Sequence, residues 1–517
     1  NSLSIDAGIV GQVTFQNEVG SDTPLLNLDV VGTTVFDGGN LTIDGELNFE
    51  GDFVIGEGIV NLTTLNASDV YFGGTIDSHT ELTKRLTINT SNEGVTRFEG
   101  TVGTMNGVRS LQTNADGRTE IAADIFTSGG DIDFGDAVLI DNDVRIEADL
   151  GLLTFESTID GSVNGLFNLT IAAIGEAEIV INGAIGSDAL GADSSDAGLG
   201  SLIVENQTRF NGGSIQSVGD LTFAEQLTIG TNTTLTSTGT GNVTFSGNVD
   251  TAAGSPFNLS IDTGLGNYFQ DNSSSLLNTS GGDLTIAASD VTLEGTINTG
   301  SGRVTFEQTQ PSGEIVLGSQ PGTLSLSDVE IDQITTSAGI AIGNTGTGDI
   351  KILEDISPAG TNSLFLTTGG RILSDNPGAV LDVANLSLSA EQGIGLNGPV
   401  NLAVNNALAM ESQFGTIDIF SGQDITVGTV DGLAGATALG NITLNATGGV
   451  TLSSGVTATG NGSIEINAAR QITVNGGASV SSTSGAIALD ANSSGLATGN
   501  FSGVFVADSA TVSSTTG

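Results

Sequence analysis

The sequence has no cysteine and no tryptophan, only 7 prolines, one histidine (His79) and two lysines (Lys84 and Lys351). Without cysteine there are no disulfides and no thiolate metal sites. Charged residues fill 14% of the 517 positions, well below the usual quarter. No run reaches the ~18 consecutive apolar residues of a membrane helix, which argues against direct membrane insertion. Basic charge is nearly missing. Asp and Glu number 59 against 11 Lys and Arg, for a net charge of −48. Such a balance excludes the electrostatic footprint of a nucleic-acid binder and disfavours docking on anionic membranes. It fits a surface facing salty water, or one bridged by divalent cations. Of the acids, 32 fall in residues 1–200. Neither an initiator Met nor a signal peptide stands at Asn1, so a processed product or a piece of a longer protein is expected.

What is present is 76 Gly, abundant Thr, Ser and Asn, and 38% hydrophobic residues in short runs. Strand and turn formers dominate over helix formers. The runs repeat. Leu47-Asn-Phe49 followed by Phe53-Val-Ile55 returns as Ile132-Asp-Phe134 with Val138-Leu-Ile140, and again as Leu221-Thr-Phe223 with Leu227-Thr-Ile229. The steps are 85 and 89 residues. Val70-Tyr-Phe72 with Ile76-Asp77 matches Leu153-Thr-Phe155 with Ile159-Asp160, and both match Val243-Thr-Phe245 with Val249-Asp250. Leu86-Thr-Ile88, Leu169-Thr-Ile171 and Leu259-Ser-Ile261 form a third set, stepping like the second by 83 and 90. Three tandem super-repeats follow, near 26–110, 111–201 and 202–285.

Each super-repeat is too long to be one coil. Inside it, apolar-polar-apolar triplets bounded by Gly, Asn or Asp return about every 20 residues. The C-terminal region shows this period openly. Ile442-Thr-Leu444, Ile464-Glu-Ile466 and Ile487-Ala-Leu489 step by 22 and 23, and Val450-Thr-Leu452 steps by 22 to Ile472-Thr-Val474. A triplet places two side chains on one face and one on the other, and so short a strand holds no core alone. Stacked coils ~4.8 Å apart would pair each strand above and below and line the apolar residues into a ladder. Gly and Asn would take left-handed corner positions. The expected fold is an all-β, right-handed parallel β-helix (a β-solenoid), an elongated rod of roughly 25 coils and about 120 Å. A sandwich array would lack the finer period, and a propeller would show repeats of ~40–50 residues with aromatic signatures.

Gly440-Asn-Ile-Thr-Leu-Asn-Ala-Thr-Gly-Gly-Val-Thr-Leu452 resembles the repeats of filamentous-haemagglutinin-like adhesins, and Leu366-Thr-Thr-Gly-Gly-Arg-Ile-Leu373 is similar in style. The segments Leu221 to Asp250 and Phe257 to Asp262 resemble the β-strand repeats of giant surface proteins of aquatic bacteria. The resemblance implies a β-helical shaft, a secreted or cell-surface location and a role in adhesion or matrix. The family's amino-terminal secretion domain is not visible.

Candidate chemistry is sparse. The densest acidic stretch is Asp131, Asp133, Asp136, Asp141, Asp143, Glu147 and Asp149. A structural Ca²⁺ site needs six to eight oxygens, while the alternation of Asp131 and Asp133 with Ile132 and Phe134 favours an acidic outer face. A second acidic segment, with Asp188, Asp193 and Asp196, lacks EF-hand and β-roll spacing and is expected to be a solvated loop. No paired carboxylates or positioned base are arranged as polysaccharide cleavage requires. His79 sits in the turn Asp77-Ser-His-Thr80, and Arg97 and Arg209 in Thr-Arg-Phe triplets as outward strand residues. No catalytic residue, cofactor-binding residue or metal ligand is assigned, and no enzyme is expected.

The expected organisation is an opening coil over 1–25, the super-repeats over 26–285, and a continuing shaft over 286–517 with smaller core residues. Neither end carries an obvious polar cap, which a lone solenoid needs. The ends are expected to continue into further sequence or to stack on another copy. Two functions fit: the stalk of an adhesin, or a self-assembling subunit of an extracellular filament, sheath or surface layer. The expected partners are a second copy, packed end to end or laterally, and other surface proteins or glycans.

Overall fold

The computed structural model describes residues 1–56, 58–79, 84–175, 177–187, 198–252, 255–320, 323–493 and 503–515. Apart from the five-residue helix Asp328–Asp332, the regular elements among these residues are strands. Nearly all pairings are parallel, and the strands stack as a β-solenoid of about 20 turns. The count falls below roughly 25 because coils outgrow 20 residues: Leu28 to Leu47 spans 19, but Val70 to Thr96 spans 26. The chain divides into two compact units, Asn1–Gly266 and Asn267–Gly517.

In the first unit each coil runs through three faces. Face I holds Leu28–Val31, Leu47–Phe49, Val70–Phe72 and Val95–Phe98 in register. Face II holds Thr33–Phe36, Phe53–Ile55 and Ile76–Ser78. Face III holds Asn40–Ile43, Ile59–Thr64 and Arg85–Asn89. The triplets behave as their alternation requires. In Leu47–Phe49, Phe53–Ile55 and Leu221–Phe223 the outer residues are buried and the middle one faces out. Each buried Leu, Ile or Phe contributes about 1.5–3 kcal/mol, so the interior column supplies what a three-residue strand cannot.

The super-repeat does not close on itself. From Leu47 on face I, three full coils pass through Val70 and Thr96 to Thr119. Two further strands, Ile125–Ser128 on face II and Ile132–Phe134 on face III, complete the step. A super-repeat is thus eleven strand positions, or three and two-thirds coils, and its next copy starts on a different face. Equivalent phenylalanines accordingly stack on each face in turn: Phe49–Phe72 on face I (5.6 Å), Phe134–Phe155 on face III (5.2 Å) and Phe223–Phe245 on face II (5.3 Å).

The second unit also stacks parallel coils. Its 22-residue period is direct coil-on-coil registry: Ile442 pairs with Ile464 and Ile464 with Ile487, while Val450 pairs with Ile472. Alanines enter its buried column at Ala436, Ala438, Ala458 and Ala468. Midway it departs from triplets, with the long strands Val380–Ala390 and Val400–Ser412 paired side by side.

Corner residues follow two rules. Asn66 (φ 60°) and Asn92 (φ 52°) adopt the left-handed conformation expected of Asn. Many corner glycines instead answer to stacking: a Cβ on Gly462 would lie 2.0 Å from the carbonyl oxygen of Gly440 one coil before.

Candidate functional site

The seven carboxylates of the acidic stretch do not share one site. Asp131 lies at the II–III corner, Asp133 on face III, Asp136 inside the III–I corner, Asp141 and Asp143 at the I–II corner, and Glu147 and Asp149 on face II. Six have separate partners. Asp131 Oδ1 accepts the Leu152 N–H at 2.9 Å, and Asp143 Oδ1 that of Asn168 at 2.9 Å. Asp133 accepts from Gln112 Nε2 at 3.1 Å, and burial raises its carboxyl above the usual range, with Glu156 and Asp131 adding to the rise. Asp141 pairs with Arg97 at 2.9 Å and Glu147 with Arg145 at 2.7 Å. Asp136 is interior, with Oδ1 accepting from Thr113 at 2.9 Å and Thr119 at 2.8 Å. Among the described residues no three His, Asp or Glu side chains converge as ligands. Asp188, Asp193 and Asp196 lie outside the described residues.

Many of the acids instead bond coil to coil. An Asp placed just before an inward apolar residue accepts the backbone N–H in the same register one coil later. Asp52 does this for Thr75, Asp69 for Val95, Asp124 for Arg145, Asp220 for Asn242, Asp349 for Arg371 and Asp424 for Gly449, all at 2.7–2.9 Å. Asn232 and Asn441 hold the same position, each accepting at 2.9 Å. A backbone amide needs an acceptor, and an ionised one makes the stronger hydrogen bond. The signal was present as a recurring Asp/Asn-apolar-polar-apolar string, legible as a turn marker but not as a bond to the next coil.

Several cations are also engaged between coils. Arg97, outward on face I, reaches Glu120 at 2.5 Å and Asp141 at 2.9 Å, on the next two coils. Arg145 holds both carboxylate oxygens of Glu205 at 3.0 and 2.6 Å, and this bond keeps Glu205 below the usual carboxylate range. Arg209 pairs with Glu178 at 3.3 Å. His79 is exposed.

Among the recesses lined by described residues are two shallow ones on the outer surface. One, of about 420 Å³ in the second unit, is lined by Pro377, Val380, Asn401, Ala403, Phe420 and Gln423, none of them charged. Its Phe420 ring is partly exposed. The other, of about 440 Å³ in the first unit, is lined by Gly175, Ala177, Asn206, Gln207 and Glu225. No helix among the described residues is long and apolar enough to cross a membrane.

No protein-family model, curated protein or solved structure matches the chain. The geometry therefore stands by itself. Among the described residues each unit has a buried apolar column, many charged side chains bond coil to coil, and the two recesses are of ordinary ligand-site size without a gathered set of ionisable groups.

Proposed function

We propose that this chain is the β-helical shaft of a large extracellular bacterial surface protein, the stalk of an adhesin, and that it is not an enzyme. The observation that carries the proposal is the use of the polar groups. Asp caps and Arg pairs spend their bonding on the neighbouring coil, which serves a long support more than a reaction centre. Binding to surface proteins or glycans would fall to outer-surface features such as the uncharged recess at Phe420. The acidic surface gives no footing for nucleic acid.

A second reading, a subunit of a filament, sheath or surface layer, is favoured by one feature. Leu150 (69% exposed), Leu152 and Ile174 form an exposed apolar group at one corner, where the Leu150 N–H bonds the Ile174 carbonyl. Negative-stain electron microscopy with and without millimolar Ca²⁺ separates the two. Single rods in both conditions support the stalk. Fibres with a regular axial repeat support the filament, and fibres only with Ca²⁺ would assign the excess acid a metal-bridging role. Turnover of an acidic polysaccharide would overturn both, and none is expected.

A further inference from the structure

The hairpin Gly428–Gly435 interrupts the coil stack of the second unit at an unusual point. Val427 pairs with Leu408 and Ala436 with Met410, two positions apart on the same long strand. The eight residues between them leave the sheet and return to it. Thr429–Val430 and Leu433–Ala434 pair antiparallel, and the neck closes with the Gly435 N–H on the Gly428 carbonyl at 2.7 Å. Asp431 (φ 52°) and Gly432 (φ 82°) form the tip, the Asp-Gly pair that a two-residue hairpin turn favours.

The hairpin lies over a file of outward residues. Thr305, Ala341, Phe365, Ser387 and Ala409 stand in register on five successive strands, between inward-facing neighbours such as Leu364 and Leu366. Outward positions of a solenoid are normally wet. Here Phe365 and Ser387 are each 7% exposed and Ala409 0%. Val430 packs with Phe365 and Ala409, and Ala341, Ala407 and Leu433 join the same cluster. At the far end Asp431 pairs with Arg303, whose guanidinium also lies 4.7 Å from the centre of the Phe365 ring. A Cβ on Gly339 would come within 2.5 Å of that ring, so glycine makes room for it.

We propose that Gly428–Gly435 is a hinged clasp that binds the strands from Val304–Gln308 to Val400–Ser412 into one cooperative block. Coils of a solenoid touch only their neighbours, so opening can start at any coil and spread stepwise. The clasp joins Arg303 to Asp431 across every coil between them, a coupling that strand pairing alone does not supply. It is anchored by a small apolar cluster and one half-exposed ion pair, with glycine at both ends of its neck. It is thus the element of this region best built to open, and its release would uncover the file around Phe365. The clasp is a property of the fold and does not depend on the adhesive reading.

The test is hydrogen exchange on the full chain, read by peptide. Val430→Ser with Leu433→Ser removes the apolar anchor. Exchange in 340–342, 363–368, 385–390 and 407–412 is expected to rise about tenfold or more and to lose its common rate, while 442–446 and 464–468 stay unchanged. Asp431→Asn keeps the apolar contacts and should raise the same peptides only about twofold to fivefold, the worth of an exposed pair. The natural absence of cysteine permits a third arm: Ala409→Cys with Val430→Cys should slow these peptides when oxidised and release them when reduced. Unchanged exchange in the serine variant, or acceleration spread equally over 442–446 and 464–468, would overturn the proposal.

Discussion

Replacing Asp136 by asparagine should stabilise its coils relative to the native chain as pH rises, and the gain should vanish in acid. Asp136 is 2% exposed, and its Oδ2 has no hydrogen-bond partner among the described residues. Burial pushes its carboxyl up to about 6 from an ordinary value of 3.8, against the opposing pull of Thr119, Thr113 and its own backbone N–H. A folded pKa above the unfolded one means that the folded state holds the proton more tightly. The stabilisation is therefore complete below about pH 4 and is lost as pH rises through about 6. The gap of about two units corresponds to about 3 kcal/mol. Asparagine does not titrate, so any cost of placing an amide nitrogen at the Oδ2 position is the same at every pH. A long solenoid need not unfold in one step, so the assay should be local. Exchange of the Ile132–Phe134 and Ala137–Ile140 amides, corrected for intrinsic rate, should show the variant gaining roughly a hundredfold in relative protection between pH 4 and pH 8. A ratio that does not move with pH, or moves the other way, refutes the reasoning.

Three further outcomes follow from the coil-to-coil bonds. Asp220→Ala removes the acceptor for the Asn242 N–H and should cost about 1–2 kcal/mol of local stability; Asp220→Asn should recover most of it, as Asn232 and Asn441 imply. Arg145→Ala breaks the two-pronged bond to Glu205. It should cost at most about 1 kcal/mol, shrinking in high salt, and Arg145→Lys should not restore it because a point charge cannot grip both oxygens. Phe155→Ala empties a fully buried site stacked on Phe134 and should cost about 3–5 kcal/mol, seen as new proteolytic sensitivity in the neighbouring coils. Phe155→Leu should cost distinctly less.

Coil registry was legible because apolar side chains report directly which residues share the interior. The steps from Ile442 to Ile464 and Ile487 are strand pairings, and the matched Phe49, Phe134 and Phe223 all stack on a phenylalanine one coil later. Landmark spacing could not reveal which face each copy occupies, because that depends on how many strands each turn consumes. The work of the acids was also hidden. Asp220 and Asp424 look like solvated turn residues until the coil above brings a backbone amide to them. The clasp had a local signal in Val430-Asp-Gly-Leu433, a hairpin string flanked by apolar residues. Its destination, Phe365 and Arg303, lies 65 and more residues away and is set by the stacking alone.

Eleven strand positions cannot be divided evenly among three faces. A duplication of one super-repeat therefore never copies a face; it delivers the same residues to a new side of the axis, a third of a turn away. Sequence that survives such copying has to be tolerated in all three settings, which selects against residues committed to one side. Conversely, excising one super-repeat from the first unit, for example residues 47–131, should leave the coil junction intact, because Phe36 would lead into Ile132-Asp-Phe134 as it now leads into Leu47-Asn-Phe49. Every later loop of that unit would then point in a new direction. A lineage could change the number of coils in this solenoid and the bearing of whatever those coils display with the same genetic event.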